Sequence, residues 1–240
     1  MVSARFEELD WRQTPIGEIS LRRRWDPTCA REVHEIKLDD EFLMSSLFTQ
    51  AEVELARLAL ARIRGDGPWD VVVGGLGLGC TAATVLAEPK VGTLLVVEAL
   101  EAVIDWHTWR LLPTGEQLVT DRRCRLVQGD FFAMAAADGF DPKRPRRQFD
   151  AILVDIDHSP DHLLHPGHGD FYRPAGLRRL AAHLRPAGVF ALWSDDPPEP
   201  RFTAALSDLF TTVEAETVRF RNPFLEQESA NTVYVAVDPR

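Results

Sequence analysis

The sequence predicts an α/β protein, a doubly wound and largely parallel sheet preceded by a small antiparallel β domain. Three observations lead there. From Trp69 onward, short apolar runs alternate with helical patterns, the rhythm of parallel strands covered on both faces. Up to about Asp39 the chain instead alternates apolar and polar residues, broken by Thr14-Pro15-Ile16-Gly17 and Asp26-Pro27, which reads as a β-meander. At the other end, Thr212–Arg219 and Thr232–Val237 follow one another with no helix between them, as in an antiparallel hairpin closing a sheet edge.

In chain order, strands are expected at Glu18-Ile-Ser-Leu-Arg and Glu32-Val-His-Glu-Ile-Lys-Leu. A long connecting helix is expected over Ser46 to Ile63, where Leu47, Val53, Leu55, Leu58, Ala59 and Ile63 recur at helical intervals before Gly65-Asp66-Gly67-Pro68. Strands follow at Val71–Val73, Thr93–Glu98, Cys124–Gln128, Ala151–Val154 and Val189–Trp193. Helices are expected near Thr81–Ala87, Ala102–Leu111, Ala175–Leu184 and Arg201–Leu209. The division is residues 1–45 for the β-meander domain and 46–240 for a Rossmann-like domain, whose hairpin ending is typical of class I S-adenosylmethionine-dependent methyltransferase folds.

Composition narrows the function classes. The 240 residues are 45% hydrophobic, enough for a substantial core, and carry a net charge of −10. That balance argues against a surface built to neutralise nucleic-acid phosphates. The cluster Arg22-Arg23-Arg24 falls in a predicted strand and reads as a solvated edge rather than a polyanion site. Cys29, Cys80 and Cys124 have neither zinc nor disulfide spacing, which suits a reducing cytoplasm. The opening Met-Val-Ser-Ala-Arg-Phe-Glu-Glu has no apolar signal core, and no apolar run spans a bilayer. The expectation is a cytoplasmic protein that binds neither nucleic acid nor membrane.

The chemistry gathers around Asp70-Val-Val-Val-Gly-Gly-Leu-Gly-Leu-Gly79, an apolar strand entering a glycine-rich turn. Gly75, Gly77 and Gly79 are spaced by two, and Cys80 stands where the third glycine of a dinucleotide fingerprint would lead on. The turn therefore fits the tighter cradle of an S-adenosylmethionine-type ligand better than NAD. Three acids follow at the carboxyl ends of successive strands, where open α/β sheets bind ligands. Glu98 is placed to accept ribose hydroxyls, Asp130 to reach an adenine amino group, and Asp155 to face the reacting centre.

With these motifs in this order, the chain resembles the spermidine synthase family of aminopropyltransferases. Gln13-Thr-Pro-Ile-Gly-Glu-Ile-Ser-Leu looks like the family's opening hairpin, and Gly74-Gly-Leu-Gly-Leu-Gly79 like its glycine loop. Leu95-Val-Val-Glu98, Asp121-Arg-Arg-Cys-Arg-Leu-Val-Gln-Gly-Asp130, Phe149-Asp-Ala-Ile-Leu-Val-Asp155 and Asp170-Phe-Tyr172 then follow in family order. The resemblance implies a homodimer, a small amine acceptor, and S-adenosylmethionine or decarboxylated S-adenosylmethionine as cofactor, leaving S-adenosylhomocysteine or methylthioadenosine. There are departures. Gly77 stands where the family's loop has an acid, Met44-Ser-Ser-Leu-Phe-Thr-Gln-Ala-Glu52 lacks the family's polyamine-binding Tyr, and Asp155-Ile-Asp-His-Ser-Pro160 replaces Asp-Ser-Ser/Thr-Asp-Pro.

The irregular stretch Asp155 to Tyr172 is long for a compact domain and reads as a binding loop over the acceptor. Alkyl transfer from a sulfonium needs a neutral amine and a group to take its proton. Asp155 is the candidate, assisted by Asp157 or His158; the bland alternative makes Asp157 and His158 turn caps. Tyr172, Trp193 and Asp195 are the candidate acceptor-binding residues, with Asp196 beside them, although Trp193 serves equally as a core residue. His158, His162, His165 and His168 lack a helical frame for metal ligation, so no metal is expected. Trp106 and Trp109 read as packing residues. Three functions remain open: an alkyl (aminopropyl) transferase acting on a small amine, a methyltransferase on the same scaffold, and a non-catalytic binder of adenosine ligands.

Overall fold

A computed structural model describes residues 6–225 and 227–240; the expectation about the first five residues lies outside them. The chain opens with four strands, β1 (Phe6–Thr14), β2 (Gly17–Asp26), β3 (Arg31–Leu38) and β4 (Glu41–Ser45), joined as an antiparallel meander in sequential order. The sequence reading found the two inner strands and missed β1 and β4. Neither strand alternates buried and exposed residues, so they carry no clear period-2 signal. Nor is Arg22-Arg23-Arg24 at an edge. It lies on inner strand β2, and the register sets acids beside it: Arg22 pairs with Glu8, Arg23 with Glu7, and Arg24 with both Asp26 and Glu35.

Helix α1 (Gln50–Leu60) leads to the main sheet. It starts four residues later than predicted, after a turn rather than within one. The sheet contains β5 (Trp69–Gly74), β6 (Val91–Glu98), β7 (Cys124–Gln128), β8 (Phe149–Val154), β9 (Leu184–Ser194), β10 (Phe210–Phe220) and β11 (Ser229–Pro239). Their spatial order is β10-β11-β9-β8-β5-β6-β7, with β5 to β9 parallel and the β10–β11 hairpin antiparallel at one edge. Between the strands lie α2 (Cys80–Leu86), α3 (Glu101–Thr108), α4 (Gly115–Thr120), α5 (Phe131–Ala136), α6 (Pro174–Ala181) and α7 (Pro200–Ser207).

The period of two sorts each strand between two cores. Val71 and Val73 of β5, Leu94 and Val96 of β6, and Ala151 and Leu153 of β8 enter one buried cluster. Val72, Leu95, Val97, Ile152 and Val154 enter the other. All are essentially without solvent exposure, and each large aliphatic buried in this way contributes about 1.5–3 kcal/mol. Ile19, Leu21 and Ile36 of the small sheet join the first cluster together with α1, so the meander packs onto the main sheet through a shared core.

Two helix predictions need correction. The expected helix to Leu111 stops at Thr108, because Arg110 takes φ +59° and turns the chain into α4. The expected helix to Leu184 stops at Ala181, and Leu184 instead begins β9. Helices α4 and α5, six residues each, were not predicted; under two turns long, they are too short to show a helical period. Among the described residues no helix is long and apolar enough to cross a membrane.

At the amino ends of β5 and β8 a charged lattice ties the strands together. Arg147 bonds Asp70 (2.6 Å) and Asp141 (2.9 Å), Arg185 bonds Asp70 (2.6 Å) and Asp150 (2.5 Å), and Arg125 also reaches Asp141. Burial opposes ionisation of Asp141, but the guanidinium groups of Arg125 and Arg147 win and hold its carboxyl at about 2. Asp141→Asn is expected to cost about 2 kcal/mol, since it removes the counter-charge of the half-exposed Arg125 and one of the two carboxylates that hold the buried Arg147; urea denaturation at neutral pH measures it. Because the folded-state value lies below the ordinary 3.8, Asp141 stabilises the wild type above that value and its contribution fades as pH falls toward 2. The variant should lack that part of the acid dependence.

Candidate active site

The residues singled out at the strand ends converge on one cavity of about 790 Å³, set between the carboxyl ends of the parallel strands and the small sheet. Its construction begins at the glycine turn. Gly75 has φ +92°, and a Cβ there would lie 2.0 Å from the carbonyl oxygen of Asp155, so only glycine lets β5 and β8 end so close together. Gly77 has φ +45°, and a Cβ would meet the Met44 sulfur at 2.3 Å. Met44, on β4, takes that space and accepts the Leu78 amide on its Sδ at 3.1 Å. From the other side His107 Nε2 contacts the Gly77 carbonyl (2.9 Å), and Thr114 Oγ1 donates to the Leu78 carbonyl (2.7 Å). Gly79 begins α2 and does not line the cavity; it sits against Thr114, His107 and Leu118.

Glu98 ends β6 and lines the cavity. Burial pushes its carboxyl up, while the amides of Leu100, Leu76, Gly77 and Ala99 pull the other way; the Leu76 and Leu100 amides donate at 3.0 and 2.9 Å. Asp130 caps α5 by accepting the amides of Phe132 and Ala133 on Oδ1. No partner is found for its Oδ2 among the described residues, and the side chain lines the cavity. These positions suit an adenosine ligand. A buried carboxylate stands by the glycine turn, a second acid lies one strand further on, and Val97, Leu100, Val103 and Phe131 supply apolar wall between them.

Asp155 follows β8 and accepts a hydrogen bond from Thr81 Oγ1 at 2.7 Å. Burial pushes its carboxyl up to about 6. A second acid, the buried Glu52 on α1, lines the same cavity and is pushed up to about 8 by burial and by the charge of the half-buried Asp155. Sequence reading missed Glu52, Met44, Phe132 and Asn231 as wall residues, whereas His168 is one of the four loop histidines it weighed. The first two come from the segment before the main sheet, and no local motif announces that the small sheet folds over the cavity.

The loop after Asp155 assigns its residues differently from expectation. Asp157 is 2% exposed and does not line the cavity. It accepts from the Leu164 amide (2.8 Å), His168 Nδ1 (2.8 Å) and the Tyr172 hydroxyl (2.8 Å), and so acts as the loop's internal anchor. Tyr172 is likewise buried and turned to Asp157 rather than to the cavity. His158 does line the cavity, with its Nε2 3.7 Å from Glu41 and no hydrogen-bond partner among the described residues. His162 pairs with Asp196, and His165 accepts the Gly167 amide, so the loop histidines go to separate partners. Trp193 and Asp195 line the cavity, and Asp195 accepts from Asn231 Nδ2 at 2.6 Å. Trp106 is wholly buried and donates from Nε1 to Asp10 (2.8 Å), whereas Trp109 is 53% exposed.

The cavity wall carries five carboxyl groups, those of Glu52, Glu98, Asp130, Asp155 and Asp195, and no lysine or arginine among the described residues. Such a wall favours a cationic ligand.

The architecture is that of a class I methyltransferase-like domain preceded by an antiparallel sheet. More particularly, it is the spermidine synthase fold. No family model matches the sequence. A crystal structure of spermidine synthase in complex with the transition-state analogue AdoDATO superposes with a TM-score of 0.72 at 18% identity, covering 96% of this chain and 73% of that one. Spermidine synthase from Thermotoga maritima gives a TM-score of 0.72 at 16% identity, covering 96% and 72%.

Replacing Tyr172 by Phe removes one of three donors to a buried carboxylate. A loss of about 1–2 kcal/mol is expected, with faster amide hydrogen exchange confined to residues 156–172. Uniform exchange throughout the sheet instead would show that Asp157 does not organise the loop.

Proposed function

We propose that the chain is a spermidine-synthase-like transferase that moves an aminopropyl group from a sulfonium derivative of adenosine to a small amine. The observation that carries this reading is the cavity wall, with its five carboxyl groups and no lysine or arginine, built over a glycine turn on the spermidine synthase fold. At about 790 Å³ the cavity is large enough for a nucleoside and a small acceptor together. The same wall favours decarboxylated S-adenosylmethionine over S-adenosylmethionine, whose amino-acid carboxylate would enter among acids without a guanidinium or ammonium to meet it.

In this reading Glu98 takes the ribose hydroxyls and Asp130 Oδ2 the adenine amino group. The bound sulfonium supplies an electron-poor carbon and a neutral thioether leaving group. Asp155 holds the acceptor nitrogen in line with that carbon and takes the proton the nitrogen sheds as its bond to carbon forms. Trp193, Phe48 and Phe220 line the apolar part of the wall and exclude water. Thr81 fixes the Asp155 carboxyl by its 2.7 Å hydrogen bond, and His158 stands at the same wall as a second proton carrier.

Incubation with decarboxylated S-adenosylmethionine and putrescine, followed by mass spectrometry, is expected to add about 57 Da to the amine. A gain of about 14 Da from S-adenosylmethionine would move the reading to methyl transfer, and absence of nucleoside binding would remove both. Asp155→Asn should lower kcat by about 10²–10⁴-fold, as expected for loss of a positioned base. Since the base must be ionised and burial raises its carboxyl to about 6, wild-type kcat/KM should climb as pH rises through that value. The rise should vanish in the variant. Glu98→Gln should weaken methylthioadenosine binding by at least about tenfold, read by calorimetry.

A further inference from the structure

A glycine-rich turn at the end of a parallel strand commonly presents free backbone N–H groups to an anionic ligand. In this chain the amides of residues 75 to 79 are all taken. Gly75 donates to the Val97 carbonyl (2.9 Å) and Gly79 to the Leu76 carbonyl (2.7 Å). Leu76 donates to Glu98 Oε2 at 3.0 Å, and the Gly77 amide bonds the same carboxyl. That leaves Leu78, whose amide donates to the Met44 sulfur at 3.1 Å. The other acceptors belong to the end of β6 or to the turn itself. This one is a flexible thioether, a weak acceptor, brought by a different sheet.

Met44 reaches the turn through the register of the small sheet. It pairs with Ile36 on β3, which pairs in turn with Leu21 on β2, and both partners are buried in the shared core. That row fixes the Met44 backbone, and the side chain lies over Gly77, where a Cβ would come within 2.3 Å of the sulfur. The Gly77–Leu78 peptide is clamped from both sides, since its N–H meets Met44 and its carbonyl meets His107 Nε2 at 2.9 Å. Burial holds the His107 ring toward its neutral form, so it donates through Nε2 and brings no positive charge to the turn. Met44 and Gly77 line the cavity and Leu78 does not. The thioether is what stands between the Leu78 amide and a ligand.

We propose that Met44 determines specificity at this turn: it covers the Leu78 amide and the space over Gly77, and so shuts out nucleosides whose sulfur carries a tail bearing a carboxylate. The proposal rests on the transferase reading above, in which the turn lies between Glu98 at the ribose and Asp155 at the reacting carbon, beside the ligand's sulfur. A carboxylate entering there finds every turn amide spent, no lysine or arginine on the wall among the described residues, and a side chain in its way. Desolvating it without a partner is costly. A tail that lacks the carboxylate meets no such cost.

Calorimetry on the full chain tests this with two thioethers that differ by one carboxylate, S-adenosylhomocysteine and its decarboxylated form. Wild type is expected to bind the decarboxylated thioether more tightly. Met44→Ala uncovers the amide and is expected to shrink that preference by at least about fivefold. Met44→Leu keeps the bulk over the amide and is expected to hold the preference within about twofold of wild type. Met44→Val, shortened but suited to a strand, makes the same test as Met44→Ala should the alanine variant not fold. Equal binding of the two thioethers by wild type, or a preference unchanged in the shortened variant, overturns the proposal while the transferase reading stands. A preference lost as fully in Met44→Leu as in Met44→Ala overturns it too, because the bulk is kept. If wild type binds neither thioether, the transferase reading falls and the proposal with it.

Discussion

Three parallel strands end so close together that their meeting point has no room for a side chain, and the site depends on that crowding. The Gly75 amide donates to the Val97 carbonyl at 2.9 Å, and the Asp155 amide to the Gly74 carbonyl at 2.8 Å. These bonds carry the sheet ladder one residue past β5 and β8, so Glu98, the last residue of β6, and Asp155 stand at the same level on either side of the turn. A glycine at 75 is required for this approach. Everything further from the sheet, including the small meander and the loop, is arranged around a separation fixed there.

The opposite end of the sheet explains how that separation is kept. Asp70 and Asp150 begin the neighbouring strands β5 and β8, and Arg185 holds both while Arg147 carries the chain of charges on to Asp141. The strands are thus tied by ion pairs below, by interleaved aliphatic side chains through the middle, and by backbone bonds above. Slippage by one residue would move every valine of β5 to the wrong core. The position of the acids is therefore a property of the sheet rather than of the loops that bear them.

How legible each part was in the sequence follows from the range of the interactions that set it. The alternating strands and helices, the edge hairpin, and Glu98, Asp130 and Asp155 were readable because periodicity and strand ends are local signals. β1 and β4, which lack alternation of buried and exposed residues, and the six-residue α4 and α5 gave no such signal. Asp157 and Tyr172 were placed at the chemistry by resemblance to the family's motifs, and the fold turns them to each other inside the loop instead. Glu52 closes the stretch set beside the family's polyamine-binding segment, yet nothing singled it out as a wall residue. Its position in α1 looks like an ordinary acid in a first helical turn, and only the packing of α1 beside α2 and β8 brings it to Asp155.

A single buried carboxylate gathers Leu164, His168 and Tyr172, and Ser159, which accepts the Asp161 and His162 amides, closes the first turn of the same stretch between residues 158 and 170. Its outward residues, among them Asp161 and His162, are exposed. Sequence change can accumulate there without unfolding the loop, provided the anchor stays. The fold thus separates the part of its cavity wall that can be rewritten, the loop, from the part that cannot, the strand ends. A scaffold divided in this way can change what one side of its cavity presents while the strand ends opposite keep their geometry.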